Sequence, residues 1–398
     1  MSAAVTAIRP LRPLVERAAE IAELAGRQAE KAEAARTPDL DVVTALVAAG
    51  AARHFVPASF GGSGGTFAEL KQAAVVLGAS CPATAWCTVV AGLMTRTAAH
   101  LPPAGQQRLW ADGPDTLIAG GVTPRGSAVP VAGGRLLSGA WPLVSSSERA
   151  DWILLFALAG NDSAAAGEGA TAGGAAAGPL VCLVPRAEVR IERTWDDVGM
   201  QATGSHTVVV EEVFVPEELT FPVAVLADLD APQPGPDGRA VPLQAVNTFL
   251  FCLPMLGAAR GALRHWQELT SAKLQARPAG YDPVVAHLAD VLARSSAEID
   301  AADLLLDRIA QLIDTAPAVT RAQVARNQRD CAFAAELLVG AVDRLMRASG
   351  AAGHSTGSVL QRLWRDIHTA GSHATLQFGP AAAGYARTEL TGGRTPKA

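Results

Sequence analysis

GGRLLSGAWPLVSSSERADW, residues 133–152, is the stretch from which the chain's organisation can be read. Gly133-Gly134 is a turn signal, RLLSGAWPLV reads as an apolar strand, and SSSERA reads as a polar tip. Trp152 then opens a second apolar run, DWILLFALAG. Short apolar or β-branched runs punctuated by glycine and proline predict strands. The same texture continues on both sides, in DTLIAGGV, PVAGG, GPLVCLVP, EVRIERTW and SHTVVVEEVFVP. Together these runs predict a small antiparallel β domain over 115–231. Within it, NDSAAAGEGATAGGAAAG (161–178) has the low complexity of a flexible loop between two strands.

Outward from this segment the period changes to helical. Upstream, Leu14, Ala18, Ile21, Ala22 and Ala25 recur at helical spacing within 12–35. Thr37-Pro38-Asp39 reads as a break and a new start, with proline early in a helix over 39–50 that ends at Gly50. PASFGGSGG (57–65) is a glycine-rich loop, and helices fit 66–79, 83–99 after Cys81-Pro82, and 104–111. These segments form an N-terminal helical domain over 1–114. Downstream, PQPGPDG (232–238) reads as a linker. Segments near 241–276, 282–314, 317–349 and 355–376 then have the length and composition of a four-helix bundle within 240–390. The expected class is α+β, mostly α, in the order helical, β, helical.

Composition narrows the function. The chain has 398 residues, 49% hydrophobic, with a net charge of −5. That balance carries no basic footprint for nucleic acid, and no polybasic block suits a membrane surface. No apolar run reaches the ~18 residues of a membrane span, and the start MSAAVTAIRPLRPLVERAAE lacks the apolar core of a signal peptide. The five cysteines, Cys81, Cys87, Cys182, Cys252 and Cys331, are odd in number and show no CxxC spacing. Reduced thiols in a cytoplasmic protein are the simple expectation, and no Cys/His spacing suits a metal.

Five motifs carry a resemblance across almost the whole chain. They are RTPDLDVVTALVAAGAARHFVPASFGG (36–62), ATAW (83–86), GGRLLSGAWPLVSSSERADW (133–152), TWDDVGMQATGSHTVVVEEVFVP (194–216) and LQRLWRDIHTAGSH (360–373). In this order the chain resembles the acyl-CoA dehydrogenase superfamily. More closely, it is similar to the flavin-dependent monooxygenases on that fold, the oxygenase components of two-component systems. These act on 4-hydroxyphenylacetate, steroid phenols and dibenzothiophene, or are nitrososynthases. The resemblance implies reduced FMN or FAD and O2, a C4a-(hydro)peroxide, a separate NAD(P)H-dependent flavin reductase, a small organic substrate and a homotetramer.

The resemblance also assigns residues. Ser145 matches a serine at the flavin edge, where a donor stabilises electron density on the reduced ring. Ser146 stands where relatives carry glycine. Trp141 and Trp152 read as strand anchors for that turn, and of the two Trp141 is the candidate flavin neighbour. Trp195 matches a tryptophan packed against the flavin, and Thr203-Gly204-Ser205 matches a turn beside ring and substrate. His373 matches an active-site histidine acting as base or as hydrogen-bond donor. Arg277 resembles an arginine that reaches the flavin phosphate. His100 and Trp86 are candidates for substrate contact. By residue type alone, the serines also suit a hairpin turn, the tryptophans a core, and His373 a packed bundle position.

Helical arithmetic places Arg362, Asp366 and His373 within about 40° of one another on one face, with Arg362 and Asp366 spaced for an ion pair. His368 points about 140° away from His373. No GxGxxG follows a strand, so no dinucleotide site of that type is visible. The alternative function is an acyl-CoA dehydrogenase-like, FAD-dependent dehydrogenase. FGPAAAGYARTEL (378–390) offers no carboxylate before its glycines, which counts against it.

Overall fold

Five helices lead into the sheet in the computed structural model, which describes residues 14–160, 178–228, 241–275 and 283–391. All but Gly178 of the expected loop 161–178 lies outside the described residues, as do the linker 232–238 and Arg277. Helix α1 (Leu14–Ala35) buries Leu14, Ala18, Ile21, Ala22 and Ala25 along one stripe. Helix α2 (Leu40–Ala48) starts at an Asp39 cap whose side chain accepts the Asp41 N–H. Pro38 therefore precedes the cap and is not in the first turn, as the sequence suggested. Helix α3 (Phe67–Gly78) opens with a reciprocal cap between Thr66 and Glu69. Helix α4 (Pro82–Ala98) starts with Pro82 in its first turn and is buried over most of its circumference. Helix α5 (Pro103–Leu109) is short.

The strands are β1 (Ile118–Val131), β2 (Gly134–Val144), β3 (Trp152–Ala159), β4 (Leu180–Pro185), β5 (Arg190–Glu192), β6 (His206–Pro216) and β7 (Thr220–Pro222). They form one sheet in the order β5-β6-β2-β1-β3-β4-β7. The expectation of a purely antiparallel sheet needs one correction, because β1 and β3 pair in parallel. The reason is topological. Strand β2 turns back on β1 in a hairpin, and β3 reverses direction again to fill the other edge of β1. Ile118 to Val122 of the first run and Pro130-Val131 of the second belong to a single strand, β1, interrupted by register shifts between Gly121 and Ser127.

The C-terminal part holds α6 (Leu243–Gln275), α7 (Pro283–Thr315), α8 (Arg321–Ala348), α9 (Val359–Gly371) and α10 (Phe378–Thr391). Helix α8 packs against α6, α7, α9 and α10. Helix α10 is additional to the four expected segments. Two glycines and a proline in FGPAAAGYARTEL obscure its helical signal, and the Arg329 guanidinium lies 4.2 Å from the Tyr385 ring centre, holding it to α8. Helices α3 and α6 cross at glycines. A Cβ on Gly257 would come 2.6 Å from the Val75 carbonyl oxygen, so this close approach needs glycine. The crossing seats the middle of α6 against α4, the helix that carries Trp86.

Helix α6 is long and apolar enough to cross a membrane, with a mean hydropathy of 1.3 in its apolar window, but 83% of that window is buried inside the protein. It is read as the core helix of the bundle. All five cysteines are buried and free. Among the described residues, no group of three or more His, Cys, Asp or Glu is placed to hold a metal ion.

Candidate active site

Strand β2 ends at Val144, and the next residues turn sharply. Ser146 has φ +60°, a left-handed conformation that favours glycine. The backbone here therefore keeps a glycine-type turn although the residue is serine. Its N–H donates to the Thr203 carbonyl at 2.8 Å, which docks this turn onto the turn before β6. Ser146→Gly is expected to relieve the conformation and raise stability by about 0.5–1 kcal/mol, read as a small rise in Tm. An unchanged or lower Tm would contradict that reading.

A line of hydroxyls runs inward from Ser145. The Trp86 indole N–H donates to Ser145 Oγ at 3.1 Å, Ser145 and Ser205 hydroxyls meet at 2.8 Å, and Ser205 and Thr203 at 2.7 Å. Thr203 Oγ1 donates to the Met200 carbonyl at 2.9 Å. Each hydroxyl has one proton, so this end fixes the direction of the rest. Ser205 donates to Thr203, and Ser145 donates to Ser205. A ligand acceptor at Ser145 thus requires the line of hydroxyls to reverse.

Trp195 is held at two points. Its backbone N–H donates to His206 Nδ1 at 3.2 Å, and its indole N–H donates to the Met200 carbonyl at 3.0 Å. Since His206 Nδ1 accepts, Nε2 carries the ring proton and donates to the Arg36 carbonyl at 2.9 Å. His206 was absent from the sequence reading, although it directly follows the TGS turn.

His373 does not share a helical face with Arg362 and Asp366. Helix α9 ends at Gly371, and His373 lies beyond its cap with ψ 134°, opening a short 3-10 turn over Ala374–Leu376. Its ring centre lies 4.5 Å from Phe251 and 5.8 Å from Trp86, while Trp86 and Phe251 stack at 4.7 Å. His373 Nδ1 accepts the Thr375 N–H at 3.3 Å and lies 2.9 Å from Thr375 Oγ1. Nε2 therefore holds the proton of the neutral ring, and burial pushes the pKa below the ordinary 6.5. Phe251 could not be found from sequence, because NTFLFCLPM (247–255) reads as uniform core.

The expected Arg362–Asp366 ion pair does not form. Arg362 donates to the Ser80 carbonyl at 3.3 Å, and Asp366 accepts the Met200 N–H at 2.6 Å. Burial pushes the Asp366 carboxyl up to about 7. An aspartate with an unfolded value near 3.8 binds its proton more tightly in the folded state, so folding loses stability as pH rises from about 4 to about 7. Asp366→Asn should flatten that part of the stability–pH curve. Parallel curves for the two proteins over pH 4–8 would contradict it. His368 pairs with Asp343 on α8 at 2.9 Å, separate from this cluster.

A narrow cavity of about 40 Å³ reaches the serine turn. Its walls include Leu46 of α2, Cys87 and Val90 of α4, and Ile118 of β1, with Ser145 and Ser146 at its polar side.

Residues 249–378 match the acyl-CoA dehydrogenase C-terminal domain. The chain is 31% identical over 351 residues to the FADH(2)-dependent resorcinol hydroxylase, oxygenase component, of Rhizobium sp. (strain MTP-10005), covering 81% of this chain and 80% of that one. The chain belongs to the flavin-dependent monooxygenases of the acyl-CoA dehydrogenase fold. Among solved structures, 3-HSA hydroxylase from Rhodococcus sp. RHA1 superposes with a TM-score of 0.87 at 26% identity, over 96% of this chain and 98% of that one. XiaF from Streptomyces sp., in complex with FADH2 and glycerol, does so with a TM-score of 0.84 at 28% identity, over 97% and 96%.

For a flavin monooxygenase, the residues brought together fit an isoalloxazine edge. Ser145 presents its hydroxyl to a ligand acceptor once the Ser205–Thr203 line reverses, and Trp86, Phe251, Trp195 and His373 lie around that line. Two sequence candidates fall elsewhere. Trp141 is 1% exposed, its indole N–H donates to the Phe156 carbonyl at 2.8 Å, and Gly126 and Gly139 close over the ring. As folded, it anchors the sheet and has no free face for a cofactor. His100 lies beyond the far end of α4, about 20 Å along the helix from Trp86, stacked on Phe221. It is not part of the cluster.

Proposed function

We propose that this protein is the oxygenase component of a two-component system that inserts one oxygen atom from O2 into a small phenolic substrate, using reduced FAD supplied by a separate NAD(P)H-dependent reductase. The observation that carries the reading is the neutral His373, seated against Phe251 and Trp86 at the end of the Ser145–Ser205–Thr203 line. When bound, the reduced flavin supplies the two electrons and the ring carbon that activates O2. Ser145 orients the ring edge. Trp86, Phe251 and Trp195 exclude water from it. His373 acts first as a donor, because Nδ1 is engaged by Thr375 and Nε2–H is the group left for an oxygen ligand.

Reduced FAD is chosen over FMN because the resorcinol hydroxylase is FADH(2)-dependent by name and XiaF was solved with FADH2. A phenol is chosen on the same hydroxylase name. The α,β-dehydrogenation alternative needs a carboxylate base at the ring, and FGPAAAGYARTEL (378–390) has no acid before its glycines. Anaerobic titration should show tighter binding of FADH2 than of FMNH2, and equal or reversed affinities would overturn the cofactor choice.

The assembly is proposed to be a homotetramer in the cytoplasm. Leu304, Phe333 and Leu390 are large apolar side chains left exposed on α7, α8 and α10 of the single chain, and five free buried thiols suit a reducing compartment. Light scattering should give four times the chain mass of 40.9 kDa. A mass equal to one chain would exclude the tetramer.

A further inference from the structure

Asp366 is a carboxylate for which the oxygenation chemistry has no direct use, yet it is only 2% exposed. It lies on α9, the helix that ends just before His373. Three consecutive residues of the Trp195–Ser205 loop sit on this helix. Arg365 donates to the Val198 carbonyl. A Cβ on Gly199 would collide with the Arg365 carbonyl and come 2.6 Å from Thr369 Oγ1, so only glycine fits there. Met200 donates its N–H to Asp366 at 2.6 Å.

Met200 is also where the site's hydrogen bonds converge. Its carbonyl accepts both the Trp195 indole N–H and the Thr203 hydroxyl, at 3.0 and 2.9 Å. Its φ is +54°, a region a non-glycine residue holds only against a steric penalty. Something must keep that residue in place, and the Asp366 carboxylate is its backbone partner on the α9 side.

We propose that Asp366 is a positioning residue for the oxygenation: by fixing Met200 it sets Trp195 and the Thr203–Ser205–Ser145 hydroxyl line at their distance from His373. The proposal rests on the monooxygenase reading above. The charged groups that act on the carboxyl are Glu33 of α1 and Arg365 and Arg362 of α9 itself, with Arg365 paired to Glu33 at 3.2 Å. Burial holds the Asp366 carboxyl near neutrality, and both its protonated and ionised forms have an oxygen that accepts the Met200 N–H. The clamp therefore needs an acceptor at this position and not a charge.

The test compares Asp366→Ala with Asp366→Asn, which keeps the acceptor oxygen. Two readouts are used: amide hydrogen exchange of residues 196–205 without flavin, and the yield of oxygenated phenol per reduced FAD oxidised. Asp366→Ala should exchange faster across that loop and lose about tenfold or more of its product yield, the balance appearing as hydrogen peroxide. Asp366→Asn should stay within about twofold of the parent protein in both. A folded Asp366→Ala with parental exchange and yield would overturn the proposal, and so would an Asp366→Asn as impaired as the alanine variant. If alanine does not fold, Asp366→Leu, which is close in size and has no acceptor, takes its place with the same expectations. If the parent protein itself gives no product from any phenol, the functional reading fails, and the exchange comparison alone decides whether Asp366 holds the loop.

Discussion

His373→Ala is expected to lower the rate of product formation by about 10²–10⁴-fold, the range for removing a group that holds or moves a proton at the reacting atoms. Binding of reduced flavin should change little, because the Ser145 line and Trp195 do not hydrogen-bond to His373. His373→Gln retains an N–H donor and should recover part of the loss, which a purely structural role would not explain. The pH dependence follows from the ring's state. Burial disfavours the charged imidazolium, so the ring stays neutral until the pH falls below the ordinary value of 6.5. Below that, a proton on Nδ1 would remove the acceptor for the Thr375 N–H. Activity should therefore fall on the acid side with a midpoint under 6.5, and His373→Gln should lack that limb. A variant retaining full turnover, or the same acid limb, would remove His373 from the mechanism.

Ser145→Ala should have the second largest effect. It leaves the Trp86 indole N–H without its acceptor and ends the hydroxyl line at Ser205. An unsatisfied donor here, half-buried, costs up to about 1 kcal/mol of stability. Loss of the donor at the flavin edge should reduce product formation by about 10²-fold. Thr203→Val provides the contrast. Without the Thr203 hydroxyl, Ser205 is free to donate to Ser145, and the Ser145 proton becomes available to a ligand. Thr203→Val should therefore be clearly milder than Ser145→Ala when product yield per flavin is measured. Equal losses would show that the direction of the line does not matter.

The sequence made the helical–β–helical order legible because glycine and proline separate the runs and because α1 buries the expected stripe from Leu14 to Ala25. It did not reveal the parallel β1–β3 pair, because strand direction depends on how β2 turns back and not on any local composition. The line from Trp86 to Thr203 was legible as separate motifs. That they form one line of hydrogen bonds is a fact of docking between α4, the Ser146 turn and the loop before β6. Helical arithmetic misplaced His373 because the helix stops at Gly371. Phe251 and His206 were hidden for a different reason. An aromatic in an apolar helix and a histidine beside a strand look like core until their neighbours are known.

The proposed oxygenation of a phenol with flavin reduced elsewhere can be followed through one reaction cycle. The direct measurement is a single turnover: anaerobic protein with one equivalent of chemically reduced FAD, mixed with a resorcinol-type phenol and isotopically labelled O2, with no reductase present. Slowed flavin oxidation relative to free flavin and a hydroxylated product carrying one labelled oxygen atom are expected if the proposal holds. Oxidation at the free-flavin rate, with all the oxygen recovered as hydrogen peroxide and no product across a panel of phenols, would contradict it.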